Sequence, residues 1–156
     1  MKTKDILFLL FLFCATTIAQ AQDLDSFYKK YSDKEGITAV YISKNMLNLA
    51  GGQNFGNTGK INFKALSGKV ESVQILTSEK GKVKDELAKE ISAITKNGYE
   101  MLMQVKDEGE QVDFYVKNKS DKTISEFIIS VNGPDETAFI RITGAFTMDD
   151  LRELIK

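Results

Sequence analysis

The run Tyr99–Thr143, YEMLMQVKDEGEQVDFYVKNKSDKTISEFIISVNGPDETAFIRIT, decides the fold. Tyr99, Met101, Met103 and Val105 recur every second residue up to Asp107-Glu108-Gly109-Glu110, a turn composition. Val112, Phe114 and Val116 form the returning strand, and the polar run Lys117–Lys122 turns the chain again. Phe127, Ile129 and Val131 lead into Asn132-Gly133-Pro134-Asp135, and Ala138, Ile140 and Ile142 make a last strand. Side chains alternate across a strand, so a period of two marks strands with one apolar face. Connections this short favour antiparallel neighbours. The stretch therefore predicts a four-strand meander. Its alternating residues, Tyr99, Met101 and Met103 among them, are expected in a core rather than in a methionine-rich metal or peptide site.

Elements on either side extend the pattern. Downstream, Thr147 with Asp150 has the spacing of a capping box, Phe146 can staple onto Leu151, and Leu151, Leu154 and Ile155 give a helix its apolar face. Upstream, Val83, Leu87, Ile91 and Ile94 fall at helical spacing. Asp85 and Lys89 stand one turn apart on that helix, and Asn97-Gly98 can end it. Val70–Leu76 and Ile37–Ile42 read as two early strands. Leu24, Phe27, Tyr28 and Tyr31 form one face of a first helix capped by Asp23, and Ser43 can cap a short helix carrying Met46, Leu47 and Leu49. The expected fold is α+β: a largely antiparallel sheet of two early strands plus the C-terminal meander, with helices packed on one face. No repeat or internal boundary divides residues 22–156, so one domain is expected there.

The first residues, MKTKDILFLLFLFCATTIAQA, have the order of a secretory signal peptide: Lys2 and Lys4, an apolar run from Ile6 to Ile18, then Ala19-Gln20-Ala21. The run is shorter than the roughly 20 residues of a permanent anchor. Phe13 stands before Cys14 where a lipoprotein signal requires a small residue, which argues against lipidation. Cleavage after Ala21 gives an exported chain, periplasmic or associated with the outer envelope, with no integral membrane segment. It also removes the sole cysteine, and the chain has neither histidine nor tryptophan. Without Lys2, Lys4 and Asp5, 19 basic residues face 21 acidic ones. That balance offers no basic stripe for nucleic acid and no electrostatic hold on anionic lipid.

Each chemical motif competes with a structural explanation. Gly51 and Gly56 have the spacing of a phosphate loop, but Asn57-Thr58 replace its Lys-Ser/Thr and a helix precedes it instead of a strand. The stretch is better read as a connection, and Asn54, Phe55 and Asn57 in it are the candidate partner contacts. Ser26 and Lys29 match the S-x-x-K spacing, yet Phe27 and Tyr28 between them belong to the apolar helix face and no S-D-N or K-T-G follows. With only oxygen ligands available, zinc, copper and iron sites are disfavoured. Asp107, Glu108 and Glu110 suit a turn, and Asp149 and Asp150 suit a helix start; no calcium loop is spelled out. No catalytic residue, cofactor or metal is therefore assigned.

Tyr31–Leu47, YSDKEGITAVYISKNML, resembles the opening of small secreted proteins of Bacteroidota grouped as domain-of-unknown-function family 4252. Val73–Glu79, VQILTSE, resembles the same family, as does the order of a signal peptide, one helix and then alternating elements. The resemblance implies export and an α+β fold, and it brings no catalytic residues to carry over. The expectation is a non-enzymatic domain binding a protein, peptide or envelope component. Its alternatives are a carboxylate- or Ser-Lys-dependent hydrolase of envelope polymers, or an assembly module docking through a sheet edge.

Overall fold

Asp23 starts the first helix by accepting the Asp25 amide on its side chain, and α1 runs Leu24–Ser32 with Leu24, Phe27 and Tyr31 buried. The computed structural model describes residues 23–50, 68–79 and 81–154. The expected signal peptide, residues 1–21, the glycine-rich stretch with Asn54, Phe55 and Asn57, and Ile155 lie outside the described residues. After α1 come β1 (Thr38–Ser43), α2 (Lys44–Ala50), β2 (Val70–Ser78) and α3 (Gly81–Thr95). The meander follows as β3 (Glu100–Asp107), β4 (Glu110–Ser120), β5 (Thr123–Asn132) and β6 (Thr137–Phe146), and α4 (Met148–Leu154) closes the described chain.

Turn chemistry explains the joints. Glu108 (φ 45°) and Gly109 (φ 89°) both take the left-handed region, the two-residue turn that suits strand twist in a tight hairpin. At the β5–β6 turn the Gly133 amide donates to the Glu136 carbonyl at 2.8 Å. Before α4 the Thr147 amide donates to Asp150 (2.8 Å) and the Asp150 amide to Thr147 Oγ1 (3.3 Å), the reciprocal cap that the Thr-x-x-Asp spacing predicts.

The six strands lie in the order β1-β2-β6-β5-β4-β3, every neighbouring pair antiparallel. The chain folds the meander back so that β6 pairs with β2, which leaves β1 and β3 as the edges. On one face, Leu76, Ile128 and Phe139 pack against Leu24, Phe27 and Tyr31 of α1 and Leu87, Ile91 and Ile94 of α3. There the Phe27 and Phe139 rings meet edge to face at 5.1 Å. On the other, Val73, Val116, Phe127 and Ile142 cluster with Phe146 and Leu151, and Leu47 of α2 joins them. The two longer helices thus share one face, while the two short ones cover part of the other. Strands β2, β5 and β6 carry apolar side chains on both faces, so one helical layer alone would leave half of the core bare. Lys34 from the α1–β1 turn and Lys82 both reach Glu86 of α3, and Lys30 of α1 reaches Glu90, so these, and not an Asp85–Lys89 pair, are the ion pairs of α3 among the described residues.

Candidate functional site

Buried charge is the first place to look for chemistry, and it gathers under α1. Arg141 is buried; its Nε donates to Glu126 at 2.8 Å, and an Nη donates to Asp25 at 2.7 Å and to the Gln74 side chain at 3.0 Å. Tyr99 donates to the same Glu126 carboxylate at 2.9 Å, and the Lys117 ammonium lies 3.5 Å from it. Burial pushes the Glu126 carboxyl upward, but the Arg141 hydrogen bond and charge, helped by Tyr99, prevail and hold it below its ordinary value. Asp25 is held low chiefly by Arg141, against a smaller effect of burial. Burial, then Glu126, push the Tyr99 hydroxyl well above its ordinary range. A proton-transfer group needs a pKa drawn toward neutrality, and these carboxylates move the other way. Among the described residues no buried side-chain polar atom lacks a partner, so this cluster joins α1 to the sheet. Asp113, also buried, accepts from Gln104 (2.8 Å), Gln111 (2.6 Å) and the Tyr115 hydroxyl (3.4 Å).

A second feature is a polar cleft of about 550 Å³ between the start of α3 and the β5–β6 turn, lined by Glu79, Lys84, Asp85, Pro134, Asp135 and Glu136 among others. The Lys84 ammonium is tied to the Gly133 and Pro134 carbonyls at 2.9 and 2.7 Å. Glu79, Asp85, Asp135 and Glu136 are all exposed. Ser26 and Lys29 are exposed on α1, with Phe27 buried between them, and no hydrogen bond joins the two.

The sheet face opposite α1 and α3 carries the third feature. Its register aligns Val40, Ile75, Ile140, Ile129, Phe114 and Met103, one residue from each of the six strands, in a single apolar row. The neighbouring row toward α2 and α4 contains Val73, Ile142, Phe127 and Val116 and is buried. On the opposite side the row Thr77, Ala138, Val131, Val112 and Val105 has Ala138 buried, Thr77, Val131 and Val112 half-buried and Val105 exposed. At the row ends Val40, Met103 and Val105 are 39, 40 and 45 % exposed. One half of this face is core; in the other half Ile129 and Ala138 are buried, their row neighbours are half-buried, and the exposed apolar side chains lie at the ends, on β1 and β3, with no described helix over them.

Strand β3 departs from the sequence expectation. It forms where the alternation places it, but every residue from Glu100 to Asp107 is exposed, so Met101 and Met103 are not core residues. Two physical causes combine. The strand lies at the sheet edge, beyond the reach of either longer helix, and a bulge between Met101 and Met103 turns these side chains to opposite faces. Asn54, Phe55 and Asn57, the contacts suggested by the sequence, cannot be set beside any of these features because they lie outside the described residues.

Sequence reasoning missed the open face, although a signal for it was present. On four strands an acidic residue stands two positions beyond the last residue of the face: Thr77 and Glu79, Val105 and Asp107, Glu110 and Val112, Glu136 and Ala138. The one trace of the buried Arg141 in the sequence is a basic residue within the apolar strand run Ala-Phe-Ile-Arg-Ile-Thr.

An antiparallel sheet backed by helices defines a small α+β domain. The chain belongs to the family described as a domain of unknown function, DUF4252, whose model matches residues 28–154. No curated protein and no solved structure matches the chain. No described helix is long and apolar enough to cross a membrane.

Proposed function

We propose that the protein is an exported, non-enzymatic interaction domain of the periplasm or outer envelope, binding a protein, peptide or envelope component through the open half of its sheet. The observation that carries this is the partly uncovered apolar row from Val40 to Met103, continuous across the sheet. Scattered apolar residues are normal on a surface, whereas a contiguous apolar face marks a place where something else packs. The signal-type N-terminus supports export. Affinity capture of the exported protein under native conditions, with Met103→Asp/Val105→Asp as the comparison, tests the proposal. The intact protein should retain a partner that the doubly substituted one loses, with unchanged circular dichroism; equal recovery by both would refute the open face as the docking site.

The polar cleft favours a second function, a carboxylate-dependent hydrolase, because it gathers Glu79, Asp85, Asp135 and Glu136 along one rim. General-acid work wants a carboxyl raised by burial, and these four are exposed, so this ranks second. Turnover of envelope glycan that disappears in Asp135→Asn/Glu136→Gln would place it first.

A further inference from the structure

Above its open rows the apolar face ends in acid. Asp107 and Glu110 are register partners at the end of the β3–β4 hairpin, and both continue the apolar side of their strands, after Met103 and Val105 on β3 and ahead of Val112 and Phe114 on β4. Glu136 and Glu79 stand one residue outside β6 and β2, two positions beyond Ala138 and Thr77, where they also border the cleft at the start of α3. The Glu110 carboxylate lies over Gly133, where β5 presents no side chain of its own, so the acidic edge bridges that strand as well. None of these four forms an ion pair with another described residue. The strip therefore has a covered side, made by Leu47 of α2 and Leu151 of α4, an apolar floor, and a carboxylate side whose one described neighbouring ammonium, Lys84, is tied to backbone carbonyls.

Its dimensions choose among occupants. Six strands at about 4.8 Å spacing give a strip about 24 Å long, and two rows plus the acidic edge make it about 14 Å wide. That is about 340 Å², under half of what one partner commonly buries in a stable protein pair, which disfavours a second copy held by this face alone. A second copy would also set carboxylates against carboxylates. A helix about 10 Å across and about 16 residues long matches the strip in both directions. Anionic lipid would meet the acidic edge first and be repelled.

We infer that the open half of the sheet takes a cationic amphipathic segment of a partner protein. It would lie across the strands, with its apolar side on the row from Val40 to Met103 and its lysine or arginine side along Asp107, Glu110, Glu136 and Glu79. The inference rests on the interaction-domain proposal above and names the class of partner that site selects. The band runs across the strands because the covering helices and the acidic edge bound it at either end of each strand. Apolar burial supplies the attraction, and the carboxylate edge sets which side of the segment faces the hairpin.

Two synthetic helical peptides of about 16 residues test this, one of leucine and lysine and one of leucine and glutamate, each with a single apolar side. With protein lacking residues 1–21, the leucine–lysine peptide should bind and move the amide signals of Ile75, Ile140 and Val112, while the leucine–glutamate peptide should not bind. Glu110→Lys/Glu136→Lys should weaken the lysine peptide by about tenfold or more, and Met103→Asp/Val105→Asp should abolish it; all four positions are at the surface or only lightly packed, and circular dichroism verifies the fold. Equal binding of both peptides, binding untouched by the charge reversal, or shifts confined to the α1 and α3 face would each overturn the inference. So would stronger association with neutral phosphatidylcholine vesicles than with the lysine peptide, or dimerisation through this face in sedimentation. If a native partner is captured through Met103 and Val105 while charge reversal leaves capture intact, the cationic class fails and the interaction domain stands. If neither peptide nor native partner depends on the open face, both fail.

Discussion

Arg141 carries a guanidinium into the layer between sheet and α1, where Glu126, Asp25 and Gln74 receive its hydrogen bonds. A buried pair of this kind contributes little net stability over an apolar replacement, but removing one member leaves the other charge uncompensated. Arg141→Met is therefore expected to cost about 3–5 kcal/mol in urea unfolding, and Arg141→Met/Glu126→Leu should recover a good part of that loss. The same cluster sets an acid limit. Glu126 and Asp25 are held below their ordinary values of 4.5 and 3.8, so below those values the unfolded chain binds protons that the folded chain refuses. Their contribution is complete above about pH 5 and drains away as the pH falls through the depressed folded values. Melting temperature measured from pH 6 downward should decline more steeply in the native chain than in the doubly substituted one; parallel curves would discount the cluster as the cause. At the alkaline end Tyr31 and Tyr99, both raised chiefly by burial, stay neutral when folded, so stability should fall above their ordinary value of 10.0.

Among the elements, α4 and β3 show opposite relations between local pattern and environment. The start of α4 is written in Thr147, Asp150, Phe146 and Leu151, and all four do what their spacing implies: a reciprocal cap and two buried side chains in one cluster. Thr147→Ala should cost about 0.5–2 kcal/mol in thermal or urea unfolding, since α4 has few other anchors. A loss outside the native cap, as in Ser125→Ala on an exposed bond, should be much smaller. Strand β3 is equally legible as a strand, and its hairpin turn is legible in Glu108-Gly109. Its burial is not. Period two tells which side chains share a face, but whether a face is covered depends on strand order. Nothing in Tyr99–Asp107 states that β6 will turn back onto β2 and leave β3 outermost. The bulge is hidden for the same reason, because it is a relation between Leu102 and a partner strand.

At the scale of the whole molecule, the class and the element order were readable, whereas the candidate site was not, because it is made of register. Val40, Ile75, Ile140, Ile129, Phe114 and Met103 are scattered over the chain and become one row only through five antiparallel pairings. The same pairings grade stability from the middle of the sheet outward. Strand β6 is paired on both sides, and Phe139 and Ile142 on its opposite faces are fully buried. Strand β3 is paired on one side and exposed on both faces. Segments with few buried contacts open locally at free energies well below global unfolding, and binding edges are drawn from that end of the range. Native-state amide exchange should accordingly find the Phe139–Ile142 amides opening only with the whole protein. The β3 amides bonded to β4 should exchange sooner, by local opening, with little dependence on denaturant. If β3 is protected as well as β6 in the isolated protein, its exposed methionines are held by something other than the partner face inferred for them. If β3 is labile alone and gains protection when the leucine–lysine peptide is added, the open half of the sheet is both the least stable part of the domain and the part that binding completes.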